Sequence, residues 1–392
     1  MKVYLDYAAT TPPDERVLKK MLPCMTEVFG NASSLHSYGR AALSAVDRAR
    51  DEIASILHCS ASEIFFTSGG TESDNWALRG VVSASSLSKK HIITTRIEHP
   101  AILSTCQELE REGCEVTYVG VDEKGFVDPN DVFAAIRDNT VLVAVMTANN
   151  EIGTIQPIAD IGALCREKGI PFYTDAVQAV GSIRIDVQAM NIDMLGFSAH
   201  KIYGPKGVGV LYVKNGVRFD SLIYGGEQEH GKRAGTTNTP GIVGTAEALR
   251  LTLEEMEESN ERIKALRDRF IERAEKEIPF CRLAGARENR LVGNADFIFD
   301  GIRGESLLMA LDMAGIAVGS GSACSSGSQN PSHVILAIGG SDEDARSSVR
   351  FSFGKHTTQE EVDYVVDVLK SKVEKLRETT LFKVIAAKGK RL

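Results

Sequence analysis

The sequence predicts an α/β fold, with a mostly parallel seven-stranded sheet in a large domain and a smaller α+β domain after it. Three observations carry that expectation. Short apolar runs at 63–67, 91–95, 115–119, 141–147, 171–174, 194–197 and 209–213 read as strands. Amphipathic stretches such as 102–111 and 158–168 lie between the earlier ones, and β-α-β alternation of this kind gives parallel strands covered by helices. A long, charged helical pattern at 241–276 then leaves this unit, and shorter patterns follow at 294–299, 305–314, 348–353 and 359–378. The expected division is 15–258 for the large domain, and 1–14 with 259–392 for the small one. The first dozen residues are expected to pack with the small domain or to cross the site. Ligands of such sheets bind in loops beyond the carboxyl ends of the strands, so residues placed there carry the functional reading.

Composition narrows the class. A chain of 392 residues suits two domains, and 43% hydrophobic with 25% charged residues is the balance of a globular protein. The formal net charge of −8 disfavours direct nucleic-acid binding. The opening MKVYLDYAATTPPDERV lacks the basic and apolar regions of a signal peptide. No apolar stretch of about 18 residues occurs. A cytoplasmic protein without membrane contact is therefore expected. The seven cysteines include no CxxC pair, so no disulfide framework is expected. The absence of HExxH or paired Cys/His spacing argues against an intrinsic metal. The basic tail FKVIAAKGKRL is expected to fray.

Three segments suggest chemistry. In TSGGTESDN (67–75) a strand gives way to glycines and a helix. Gly69 and Gly70 would let a ligand approach the backbone, Thr71 reads as the helix N-cap, and the helix start offers N–H groups to a phosphate. An ordinary Gly-rich turn has the same composition. In PFYTDAVQAVG (171–181) Asp175 directly follows a strand, and Gln178 comes three residues later. A carboxylate there suits a protonated ring nitrogen, although helix-capping Asp residues are common. In MLGFSAHKIYGPKGVG (194–209) Ser198, His200 and Lys201 follow another strand. A partly desolvated lysine can lose its proton for aldehyde chemistry. Lys206, in a GPKG turn, is the rival.

Together with LDYAATTP, FGNASSLHSYG, EHPAI, ANNEIGTIQPI, RAGTTN, GSACSSGSQNPSHV and VRFSFGK, these segments resemble the class V aminotransferase-like enzymes, which use pyridoxal phosphate (PLP). The resemblance is specifically to their NifS/IscS group of cysteine desulfurases. It runs in family order from residue 5 to 355 and implies the PLP-dependent transferase fold type I. By resemblance, Lys201 carries the cofactor and Asp175 partners its ring nitrogen. Gln178 and Asn150 lie near the ring hydroxyl, and His99 stacks on the ring. Gly70, Thr71, Ser198 and His200 match the phosphate cup. Thr236 reaches the phosphate of the neighbouring subunit's cofactor, which implies a homodimer. Arg350 clamps the substrate carboxylate, as a guanidinium fork does well, with Asn150 beside it. YGGEQEHGKRAGT departs from the frequent GGGHERGxRSGT near the subunit boundary.

Gly and Ser crowd around Cys324, so it reads as an exposed loop thiol and a nucleophile when ionised. It aligns with the family's loop-borne catalytic cysteine. The implied reaction converts L-cysteine to L-alanine and leaves a persulfide on Cys324. That sulfur is expected to pass to an IscU/NifU-type iron–sulfur scaffold or to tRNA thiolation, and Cys324 is the candidate ligand for any transferred cluster. Selenocysteine lyase and class V aminotransferase activity are the enzymatic alternatives, and a cofactor-binding scaffold protein is the non-enzymatic one. A transaminase needs no loop thiol.

Overall fold

The structure is a computed structural model in which residues 1–320 and 331–378 are described. Among the described residues twelve strands run in chain order: β1 (Val3–Leu5), β2 (Ile64–Thr67), β3 (His91–Thr95), β4 (Glu115–Val119), β5 (Thr140–Ala144), β6 (Phe172–Asp175), β7 (Met194–Ser198), β8 (Gly209–Val213), β9 (Cys281–Leu283), β10 (Asn294–Phe299), β11 (Ile316–Ser320) and β12 (Ser348–Ser352). The seven expected apolar runs become β2 to β8, and these form one seven-stranded sheet in the order β2-β8-β7-β6-β5-β3-β4. Strand β8 is antiparallel to both its neighbours, and the other pairs are parallel.

Side-chain alternation explains how the sheet is covered on both faces. Phe66, Val143, Phe172 and Leu195 join one apolar cluster. Their chain neighbours Phe65, Leu142, Tyr173 and Met194 join another, with Trp76 and Leu78 from the helix Gly70–Ala84. Successive strand residues point to opposite faces, so a sheet buried on both sides needs apolar residues at nearly every position. Strand β4 lies at the edge and is the partly exposed exception.

A five-stranded sheet has the order β1-β11-β12-β10-β9. Its core packs Phe297 and Phe351 against Phe270 and Leu369 from the helices Met256–Glu277 and Gln359–Glu378. The first residues do both things expected of them. Strand β1 pairs with β11, and the chain after it crosses the end of the large sheet.

Two expectations are corrected. The pattern at 241–276 is two helices, Thr239–Glu254 and Met256–Glu277, which meet at Glu255. Ile242, Val243 and Leu249 of the first pack into the large-sheet core, whereas Ile263, Leu266 and Phe270 of the second pack against the small sheet. Each half follows its own core, and the chain turns between them. Thr71 is not an N-cap. Gly69 takes that place, with φ 153° and ψ −178°, a conformation nearly restricted to glycine, so Thr71 is the helix's second residue.

Candidate active site

Strands β2, β6 and β7 share a direction, so their carboxyl ends meet at one edge of the sheet. Asp175 ends β6, Ser198 ends β7, and the turn Ala199–Lys201 follows. The turn after β2 lies in the same place. A Cβ on Gly70 would come within 2.5 Å of Val177 Cγ2, and a Cβ on Gly209 within 2.6 Å of Gly69 Cα. Glycine at these positions lets the helix start lie directly against the Asp175 loop.

Asp175 is buried, and its Oδ1 accepts the Val177 N–H at 2.8 Å. Burial pushes its carboxyl up, while the fields of His99 and Lys201 pull it down. Those two residues therefore sit close enough to act on it. Lys201 Nζ donates to the carbonyl of Ala8 and to that of Ala9 at 2.8 Å. Gln178 Nε2 donates to the same Ala8 carbonyl at 3.0 Å. Lys206, the rival lysine, is exposed on the turn beyond.

The N-terminal segment is clamped over this edge. Thr11 Oγ1 donates to the His200 carbonyl at 2.9 Å, and His200 Nδ1 lies 3.1 Å from Thr10 Oγ1. Burial and the adjacent Lys201 push the His200 ring down to about 4, so it is neutral near pH 7. His99 caps the helix Pro100–Arg111, its Nδ1 accepting the Ala101 N–H at 3.1 Å. That bond leaves Nε2 as the proton-bearing nitrogen of the neutral ring.

Asn150 is buried in the turn after β5. The neighbouring Asn149 holds this turn: its Nδ2 donates to Ile97 O at 2.8 Å, and its Oδ1 accepts from Glu151 N at 2.9 Å and Ile152 N at 3.0 Å. Arg350, on β12, reaches across from the small sheet. Its Nη1 donates to the Asn150 carbonyl at 2.9 Å and its Nη2 to Asp6 Oδ1 at 3.1 Å. Gly319 makes room for it, since a Cβ there would come within 2.8 Å of Arg350 Nη2.

The structure thus brings together Gly70, Thr71, Asp175, Ser198, His200 and Lys201 at one edge, with His99 and Gln178 against them. Arg350 joins them through Asn150. Thr236 is exposed on the loop before the helix Thr239–Glu254. Cys324 lies outside the described residues. The sequence reading missed several contributors. Besides Asn149, these include the carbonyls of Ala8 and Ala9 and a buried acid layer. There Tyr173 donates its hydroxyl to Asp74 Oδ1 at 2.5 Å. Glu98, pushed up to about 8 by burial, takes the Thr95 hydroxyl at 2.7 Å. Carbonyls carry no sequence signal. Asp74, in TSGGTESDN, was visible only as a polar residue on a helix.

Comparison with known proteins agrees with this geometry. Residues 3–365 match the family described as Aminotransferase class-V. Cysteine desulfurase IscS of Clostridium botulinum is 54% identical over 379 residues, covering 96% of each chain. A solved NifS-like protein superposes with a TM-score of 0.90 at 38% identity, over 96% of this chain and 100% of its own. The structure of SspA in complex with cysteine gives a TM-score of 0.80 at 38% identity, over 91% of this chain and 100% of its own. The extent of these matches settles the family: the chain belongs to the class V aminotransferases and, within them, to the NifS/IscS-type cysteine desulfurases.

Proposed function

We propose that this site, with PLP joined to Lys201, removes sulfur from L-cysteine and passes it to Cys324, releasing L-alanine. The family implies PLP, and the residues present fit it. The observation that carries the reading is the meeting of three features at one sheet edge: a half-buried lysine, a buried carboxylate and a helix start without Cβ atoms in its approach. They match an aldehyde, a protonated ring nitrogen and a phosphate respectively.

When bound, PLP supplies an electron sink for the substrate's α-carbon. The carboxylate of Asp175, at the end of its strand, would hold the ring nitrogen protonated. Gly70 and Thr71 offer first-turn N–H groups, which have no intrahelical acceptor, and with Ser198 and His200 they would hold the phosphate. His99 would cover the ring. Arg350 and Asn150 orient the substrate carboxylate, and Lys201 takes the α-proton. The Cys324 thiolate then takes the substrate sulfur. An S–S bond forms as the Cβ–S bond breaks, the electron pair stays with the carbon framework, and protonation gives alanine.

The other cysteines support this assignment. Burial pushes the thiols of Cys59, Cys106, Cys165 and Cys281 up to about 12 and raises Cys24 and Cys114 as well. None of these offers a thiolate near neutral pH.

We further place the protein as a cytoplasmic homodimer, with Thr236 serving the partner's phosphate, that hands sulfur to an IscU/NifU-type scaffold. No helix among the described residues is long and apolar enough to cross a membrane. The direct test is incubation of the purified protein with L-cysteine and a thiol reductant, assaying alanine and sulfide together. Equal amounts of both are expected; alanine without sulfide, or neither product, contradicts the reading.

A further inference from the structure

The loop that carries Thr236 is stapled to the segment around the phosphate turn at two points. Glu229 accepts from Arg50 Nη1 and Nη2, both at 2.8 Å, and from the Phe66 N–H at 2.9 Å. Arg233 grips Glu72 with two parallel bonds, Nε to Oε1 at 2.8 Å and Nη2 to Oε2 at 3.1 Å. Glu229 and His230 adopt left-handed backbone angles, with φ of 47° and 58°, and the staples hold the loop in that unfavourable shape.

The second staple has an electrostatic consequence. Glu72 lies in the first turn of the helix Gly70–Ala84, and its Oε2 also takes the Ser68 N–H at 2.9 Å. A carboxylate in the first turn is ordinarily stabilising, because it meets the positive end of the helix dipole. Here the same helix start is offered to a phosphate, and an uncompensated carboxylate would compete with it for that field and repel it. The Glu72 side chain is 11% exposed and Arg233 22%, so water screens the pair weakly. Burial pushes the Glu72 carboxyl up, yet Arg233 and the Ser68 N–H outweigh it and hold the group below its ordinary range. Glu72 is thus ionised, and Arg233 is what neutralises it.

We propose that Arg233 is a positioning residue for the cofactor phosphate: by cancelling the Glu72 carboxylate it lets the start of the helix Gly70–Ala84 accept a phosphate dianion while fixing the loop that bears Thr236. This rests on the reading of the helix start as the PLP phosphate site.

The experiment titrates the apo forms of the full-length protein with PLP and, in parallel, with unphosphorylated pyridoxal, following absorbance. Arg233→Gln should weaken PLP binding by roughly tenfold, the scale of one largely screened charge at short range, and leave pyridoxal binding nearly unchanged. Glu72→Gln, which keeps an acceptor for Ser68, should bind PLP at least as tightly as the wild type. The double variant should recover most of the loss. A double variant as weak as Arg233→Gln, an equal loss with pyridoxal, or wild-type PLP affinity in Arg233→Gln overturns the proposal and leaves the functional reading standing. Should Arg233→Gln not fold, weakened PLP binding by folded Glu72→Gln overturns it. A wild type that takes up no PLP overturns the functional reading itself.

Discussion

Arg350 Nη1 donates to the backbone carbonyl of Asn150 at 2.9 Å, across 200 residues of chain. This bond joins β12 of the small sheet to the turn after β5 of the large one, so Arg350, the proposed carboxylate clamp, also links the two sheets. Asp296 stands opposite Arg350 in the strand register. Both its carboxylate oxygens are buried without a hydrogen-bond partner among the described residues. Burial pushes it up to about 7, although Arg350 pulls it down.

Removing Arg350 altogether would take one of two compensating charges from buried Asp296 and confuse stability with catalysis. Arg350→Lys keeps the charge and loses the fork. It should retain bound PLP while kcat/KM for L-cysteine falls by the equivalent of about 2–4 kcal/mol, the cost of a bidentate charged contact. Steady-state kinetics at saturating PLP measure this. An unchanged kcat/KM takes Arg350 out of the substrate site.

Lys201 and Lys206 are separated by exposure and partners. Lys201 is half-buried, with its amine on the carbonyls of Ala8 and Ala9, and Lys206 is exposed. Borohydride reduction of the PLP-loaded protein followed by peptide mapping should find the pyridoxyl group on Lys201. Lys201→Ala should carry none, and Lys206→Ala should be labelled like the wild type. Label on Lys206 reverses the assignment.

His91 gives the fold a pH signature away from the site. It is buried, with its ring nitrogens 2.8 Å from Thr140 Oγ1 and 2.8 Å from Thr117 Oγ1. Burial, helped by Arg137, pushes it down from 6.5 to about 4. The unfolded chain therefore takes a proton that the folded chain refuses. This contribution to stability is complete above the unfolded value and is lost as pH falls through the folded one. Urea unfolding between pH 7 and pH 4 should show a declining midpoint that His91→Gln makes shallower. An identical slope in the variant rules His91 out.

The large sheet was legible in the sequence because its strands are buried on both faces. Runs such as VLVA (141–144) and GVLYV (209–213) are apolar throughout and stand out from any surface segment. Strands β1 and β9 are only three residues each, too short to carry a period. The joint at Glu255 was invisible because the helical pattern continues through it; only the two cores reveal the turn. The candidate residues at strand ends stood out in the sequence through their unusual company, as with Lys201 beside Ser198 and His200. What could not be read was the support: carbonyls from residues 8 and 9, or the pairing of Glu72 with Arg233 across 161 residues of chain.

The proposed chemistry turns on Cys324, and the most direct measurement is persulfide mapping after brief exposure to L-cysteine, comparing the wild type with Cys324→Ser. The wild type should carry the additional sulfur on Cys324. The variant should keep its PLP absorbance and still respond spectrally to L-cysteine, since Lys201, Asp175 and Arg350 are untouched. Its sulfide and alanine production should fall to background, because a hydroxyl near neutral pH is a far poorer nucleophile than a thiolate. A persulfide on any other cysteine, or full activity in the serine variant, would contradict this mechanism.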